Sequence, residues 1–216
     1  MSLTLYFHPL SSFCHKALVA LYENDTPFQP RVVNLMDAGD AAAFRKIWPI
    51  GKFPVLRDDK ANRIVPESSV IIEYLDQHYP GRTRFLPADA ATALRAREGD
   101  RFFDLYLELP MQKVIGDRMR PPDKKDAFGV QQARAQIKTA LDIVDKELAG
   151  KTWYAGDAFT MADCAAAPAL FYADKVLPFG ETHKNAAAYL RRLLERPSYA
   201  RTIEEARPFF DMIPKE

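Results

Sequence analysis

The sequence predicts an α/β unit followed by an all-α unit, and three observations carry that prediction. Strand-like and helix-like segments alternate through the first part of the chain, whereas every periodic segment after about Pro87 is helical. Between the two lies PGRTRFLP, with proline, glycine and charge but no periodicity, the pattern of a surface linker. The division is therefore residues 1–80, a linker over 81–87, and an all-helical part over 88–216.

The first part reads as βαβαββα. Leu3 to Phe7 alternates at period two, and Pro9 closes the segment before Ser11 and Ser12, either of which can cap a helix running to about Asn24. Arg31 to Asn34 (RVVN) is the second strand, which makes a βαβ unit with a right-handed crossover. A short helix follows over Ala41 to Ile47. Val55 to Arg57 and Arg63 to Val65 flank the polar stretch DDKAN and form an antiparallel hairpin. The helix after Glu67 carries Ile71, Ile72, Tyr74, Leu75 and Tyr79 and stops at Pro80-Gly81. Beyond the linker, helices are predicted over Asp89 to Arg118, Ala127 to Ala149, Thr160 to Val176, His183 to Glu195 and Ser198 to Ala206.

Composition narrows the function. With 48% hydrophobic residues in 216, each part has enough apolar side chains for a core. Thirty basic and 29 acidic side chains give a formal charge of +1, which argues against nucleic acid or an anionic membrane surface as partner. The start, MSLTLYFHPL, lacks a basic segment leading into an apolar run, and no stretch approaches the ~20 apolar residues that cross a bilayer. A soluble cytoplasmic protein with a small-molecule or protein partner is expected. The two cysteines, Cys14 and Cys164, are too far apart for ligand spacing, and His8, His15, His78 and His183 form no ligand pair. No metal is expected.

Three segments carry candidate chemistry. HPLSSFCHKALVAL places two hydroxyls where the first strand meets the first helix, and the free N–H groups of a helix start favour negative charge. Taken alone, Ser11 or Ser12 is simply a cap. The second segment is Trp48-Pro49-Ile50-Gly51-Lys52-Phe53-Pro54-Val55-Leu56, and the third is Pro66-Glu67-Ser68-Ser69 at the start of the next helix. Acid plus serine at a helix start is ordinary capping.

Together the three resemble the cytosolic glutathione transferases. Leu10-Ser11-Ser12-Phe13-Cys14 is similar to the serine motif of the theta- and delta-type enzymes, the proline segment to their N-P-x-G-x-V-P-x-L run with Trp48 in place of asparagine, and Glu67-Ser68 to their E/Q-S pair. Phe159-Thr160-Met161-Ala162-Asp163 is similar to the family's S/T-x-x-D capping box, which is structural. The resemblance implies a thioredoxin-like domain followed by a helical domain, glutathione as co-substrate, and a homodimer. Ser11 would hold the sulfur as thiolate, with Ser12 the fallback. Pro54 would follow a cis bond, so that the Phe53 main chain meets the cysteinyl backbone of glutathione, while Lys52 reaches the glycyl carboxylate. Glu67 would pair with the α-ammonium and Ser68 with the α-carboxylate.

The electrophile would lie between the two parts, against Leu10, Phe13, Phe102, Phe103, Tyr106 and Met111. Asp100, Arg101 and Asp104 on the same helix are expected on a solvated face, although such charges in relatives reach glutathione across a dimer interface. Pro168 lies inside a predicted helix, and His15 is expected at the surface or in helix packing. Three alternatives stay open. They are a glutathione-dependent isomerase, although Phe13 interrupts the usual S-S-C; a thiol transferase based on Cys14, which lies about a helical turn too far along; and a non-catalytic binding protein on the same fold.

Overall fold

The computed structural model describes residues 2–214. The alternation at the start of the chain does form a strand, β1 (Leu3–Phe7), with Leu3, Leu5 and Phe7 buried. It lies inside a four-stranded sheet of order β2-β1-β3-β4. β2 (Gln29–Val32) runs parallel to β1, while β3 (Val55–Asp58) is antiparallel to β1 and to β4 (Arg63–Pro66).

β2 begins two residues before the predicted Arg31. It is an exposed edge strand, where Pro30 costs no ladder hydrogen bond, and Val33 leaves it to be buried with Phe44 and Val55 in a small second core. The apolar Val32-Val33 pair therefore marks where the strand ends.

Three helices complete this part: α1 (Ser12–Glu23), α2 (Ala38–Ile47) and α3 (Ser68–His78). α2 starts earlier than Ala41 because Asp37 caps it, accepting the Asp40 N–H at 2.7 Å. The segment read as a surface linker is pinned. Phe85 is fully buried, its N–H donates to Asp76 at 2.9 Å, and its carbonyl accepts from Met161 at 3.0 Å.

The helical part comprises α4 (Ala90–Phe102), α5 (Leu109–Arg118), α6 (Ala127–Glu147), α7 (Met161–Val176), α8 (Lys184–Glu195) and α9 (Pro197–Ala206). The long helix predicted from Asp89 is interrupted by a π-helical stretch, Phe103–Glu108, in which the Leu109 N–H returns to the Asp104 carbonyl. Pro110 has no N–H to return to Tyr106, and a widened turn relieves the clash its ring would cause.

α7 is the hub, packed against α1, α4 and α8, with Pro168 inside it. Thr160 and Asp163 form the expected capping box, but buried Asp163 also accepts the Tyr154 N–H at 2.9 Å and the Tyr189 hydroxyl. The capping acid thus ties α7 to α8 and to the chain before it. Residues of β1, α1, α3, α4 and α7 share one continuous apolar cluster. Among the described residues, no helix is long and apolar enough to cross a membrane.

Candidate active site

Two helix starts and one loop converge beside β1. At α1, Ser11 has extended backbone (φ −79°, ψ 117°), and its Oγ accepts the Cys14 N–H at 3.4 Å. Its hydroxyl hydrogen finds no acceptor among the described residues. Ser12 differs. It is buried and donates to Glu108 Oε1, while Gln112 Nε2 donates to Glu108 Oε1 at 3.3 Å and to Ser12 Oγ at 3.5 Å.

The loop before β3 contains a cis Phe53–Pro54 bond, and the Phe53 ring stacks on His8 with centroids 6.0 Å apart. Burial lowers the pKa of His8. The Leu10 N–H donates to His8 Nδ1 at 3.2 Å, which leaves Nε2 to carry the proton of the neutral ring.

At α3, Glu67 takes the capping position with φ +70°, a left-handed conformation that costs a non-glycine residue ~1–3 kcal/mol, and no side chain caps the helix. The N–H groups of its first turn are therefore left for something else.

A cleft of about 230 Å³ runs along this loop, lined by Lys52, Phe53, Pro54, Glu67 and Ser68 and closed from the helical side by Phe13, Arg101, Asp104, Leu105 and Leu109. On the other side of Phe53 lies a larger cavity of about 500 Å³. Its walls are mostly apolar, from Leu10, Met36, Met111, Ile115, Met119, Tyr172 and Met212, with Ser11, Ser12 and Gln112 as polar groups among them. Phe53 lines both. A polar ligand in the cleft and an apolar one in the cavity would meet at Phe53, with Ser11 on the cavity side.

The model of glutathione S-transferase N-terminal domains matches residues 5–83, and that of glutathione S-transferase C-terminal domains matches residues 127–192. The chain belongs to the glutathione S-transferase family. It is 33% identical over 150 residues to the glutathione S-transferase-like protein LUC7 of a Fusarium species, a match covering 68% of this chain and 64% of the relative. It is 25% identical over 206 residues to glutathione S-transferase GstB of Escherichia coli, covering 93% and 97% of the two chains. Among solved structures, it resembles a glutathione S-transferase of Methylobacterium radiotolerans in complex with glutathione sulfonate, with a TM-score of 0.83, 27% identity, and coverage of 93% and 94%.

The residues singled out in the transferase's sequence do not all gather at one place. Lys52, Phe53, Pro54, Glu67 and Ser68 share the cleft, while Ser11, Leu10 and Met111 line the cavity. Phe13 lines the cleft and not the larger apolar cavity. Phe103 is fully buried, edge-on to Tyr154 with centroids 5.1 Å apart, and is core. Phe102 packs on Phe103 and on Tyr106, and neither Phe102 nor Tyr106 lines either space. Packing decides this: Phe103 is drawn into the core, Tyr106 is about half exposed, and Phe102 lies against both.

Asp100 and Asp104 are not on a solvated face. Both are buried against Lys16, whose Nζ lies 2.6 Å from Asp100 Oδ1, 2.8 Å from Asp104 Oδ2 and 2.8 Å from Ser69 Oγ, whereas Arg101 is exposed. His15 is a packing residue. It is buried, it donates from Nε2 to the Pro9 carbonyl at 2.6 Å, and burial lowers its pKa to about 4. Cys14 is also buried, and burial raises its thiol pKa to about 12. A nucleophilic role for it is not favoured.

Sequence reading missed Lys16, Glu108, Gln112 and Tyr172. Glu108 and Gln112 share the i, i+4 spacing that puts two polar residues on one helix face, and a Lys in the apolar run of α1 was a second available signal.

Proposed function

We propose that this transferase binds glutathione along the polar cleft, with its sulfur at the start of α1, and that the Ser11 hydroxyl stabilises the sulfur as thiolate for attack on a hydrophobic electrophile in the larger cavity. One observation carries the assignment to Ser11. Its oxygen accepts from the helix while its hydrogen is unclaimed, whereas the Ser12 hydrogen is taken by Glu108. A hydroxyl that still has its proton to give can donate to S⁻ and lower the pKa of the thiol.

Glu67 binds the α-ammonium of glutathione, and the Ser68 hydroxyl with the uncapped N–H groups of α3 binds its α-carboxylate. The Phe53 main chain pairs with the cysteinyl backbone, and Lys52 with the glycyl carboxylate. Catalysis is then activation of sulfur plus proximity. The relative crystallised with glutathione sulfonate supports the choice of ligand.

In this reading the chain is a serine-type enzyme of the cytoplasm. Residues 1–80 form the glutathione-binding unit and 88–216 supply the outer wall of the electrophile cavity, joined by 81–87. It works as a homodimer, which sedimentation at micromolar concentration checks. The deciding experiment is an absorbance titration of bound glutathione in wild type and Ser11→Ala. The variant should bind glutathione with nearly unchanged affinity and a raised thiol pKa, and an unshifted titration would remove Ser11 from the mechanism.

A further inference from the structure

Behind the cavity wall lies a polar cluster that the reading above does not use. Glu108 closes the π-helical stretch, and its Oε1 receives the Ser12 hydroxyl from α1 and the Gln112 amide from α5. Its Oε2 is buried and has no hydrogen-bond partner among the described residues, as is true of the Tyr172 hydroxyl of α7, the Tyr199 hydroxyl of α9 and His15 Nδ1 of α1. The His15 ring lies 5.6 Å from that of Tyr172 and 6.1 Å from that of Tyr199. A carboxylate in such a place is strongly disfavoured unless it is paired or protonated.

Among the described residues, nothing facing Glu108 neutralises it. Lys16, the cation of this interior, is engaged by Asp100 and Asp104. Asp104 adds repulsion. Tyr172 and Tyr199 are held protonated by burial and bring no charge, and the pKa of His15 is lowered so that the ring stays neutral. Desolvation first, with Asp104 adding, raises the pKa of Glu108 to about 7, against the hydrogen bonds from Ser12 and Gln112 and the field of Lys16. A carboxyl so poised is matched to exchanging a proton near neutrality.

Ser12 borders the cavity on one side and holds Glu108 on the other. We propose that Glu108, acting through the Ser12 hydroxyl, receives the thiol proton when glutathione is activated, so that the proton stays inside the protein. This rests on glutathione being the ligand with its sulfur near Ser11 and Ser12. The S–H bond breaks as its proton passes to Ser12 Oγ, and the Ser12 O–H bond breaks as its own proton passes to Glu108 Oε1. No electron is transferred. Sulfur is left anionic, Ser12 carries the former thiol proton and donates it as a hydrogen bond to S⁻, and neutral Glu108 donates to Ser12 Oγ. Gln112 keeps the pair aligned in both states. The stored proton leaves by the reverse path, to the departing group or to solvent, once the product forms.

Glu108 is thus a positioning and proton-holding residue, and Ser12 is the group that touches sulfur beside Ser11. The test counts protons. Glutathione is mixed with the full chain in weak buffer at about pH 8, where Glu108 starts ionised, and proton release is read by an indicator dye against thiolate absorbance. Wild type should release less than about half a proton per thiolate, because the new negative charge on sulfur strengthens the hold of Glu108 on its proton, whereas Glu108→Gln and Ser12→Ala should release about one. Ser12→Thr, which keeps the hydroxyl, should restore the low ratio.

About one proton per thiolate in wild type would overturn the relay while leaving the thiolate reading intact. That measurement needs no variant to fold. If glutathione binds without any thiolate signal, or does not bind, the underlying reading falls and the relay falls with it.

Discussion

The starts of α1 and α3 border the same bipartite site and are built in opposite ways. α1 is capped within the chain, because Ser11 Oγ accepts the Cys14 N–H. α3 has no side-chain cap, and Glu67 holds a strained φ of +70°. The capped end has spent an acceptor and keeps a donor, which suits an anionic sulfur. The uncapped end keeps its N–H groups, which suits a carboxylate. One kind of terminus, finished two ways, can recognise two different parts of one ligand.

Ser11→Ala should break the comparison most visibly. Removing one donor to the developing anion should lower kcat by about 100-fold, with KM for glutathione changed less than about threefold, as steady-state kinetics at saturating electrophile would show. A wild-type-like thiol titration together with a fall in affinity would assign Ser11 to binding instead.

At α3 the effect should appear in affinity. Glu67→Gln should raise KM for glutathione by about tenfold, the cost of weakening a hydrogen bond to a charged group, while kcat at saturation stays near wild type. Glu67→Gly sharpens the point. It should weaken binding as much without lowering the urea midpoint, since glycine accepts φ +70° freely and the relief offsets the ~0.5–1 kcal/mol that glycine costs elsewhere.

Stability should depend on pH through the neighbours of the α1 end. The folded pKa of Glu108, about 7, lies above its unfolded value of 4.5, so its contribution is full below about 4.5 and is lost as pH rises through 7. His15 works in the other direction. Its folded pKa of about 4 lies below 6.5, so its contribution is present above 6.5 and is lost as pH falls through 4. Urea midpoints across that range should show Glu108→Gln flattening the neutral side alone.

The smallest effect belongs to Cys14. Its buried thiol should resist alkylation in the native protein at neutral pH, and Cys14→Ala should keep activity within about twofold while lowering stability by about 1 kcal/mol. Mass spectrometry after iodoacetamide treatment checks the first, and a thermal melt the second.

By itself the sequence determined the element order, because period-two and helical spacing, Pro80-Gly81 and the Ser and Thr caps are local signals. The three recognition segments were legible for the same reason: each is a short run whose chemistry sits at a helix start or a loop. What required the tertiary structure was everything set by burial between elements distant in the chain. Lys16 draws Asp100 and Asp104 inward, Phe103 falls into the core while Met36 and Ile115 reach the cavity, and Phe85 anchors a stretch that composition alone made a loose linker. Glu108 makes the case most directly. Ser12 and Glu108 are 96 residues apart, and only the packing of α1 against a helix widened ahead of Pro110 brings a hydroxyl and an unneutralised carboxyl together, out of water, behind the place where the sulfur would lie.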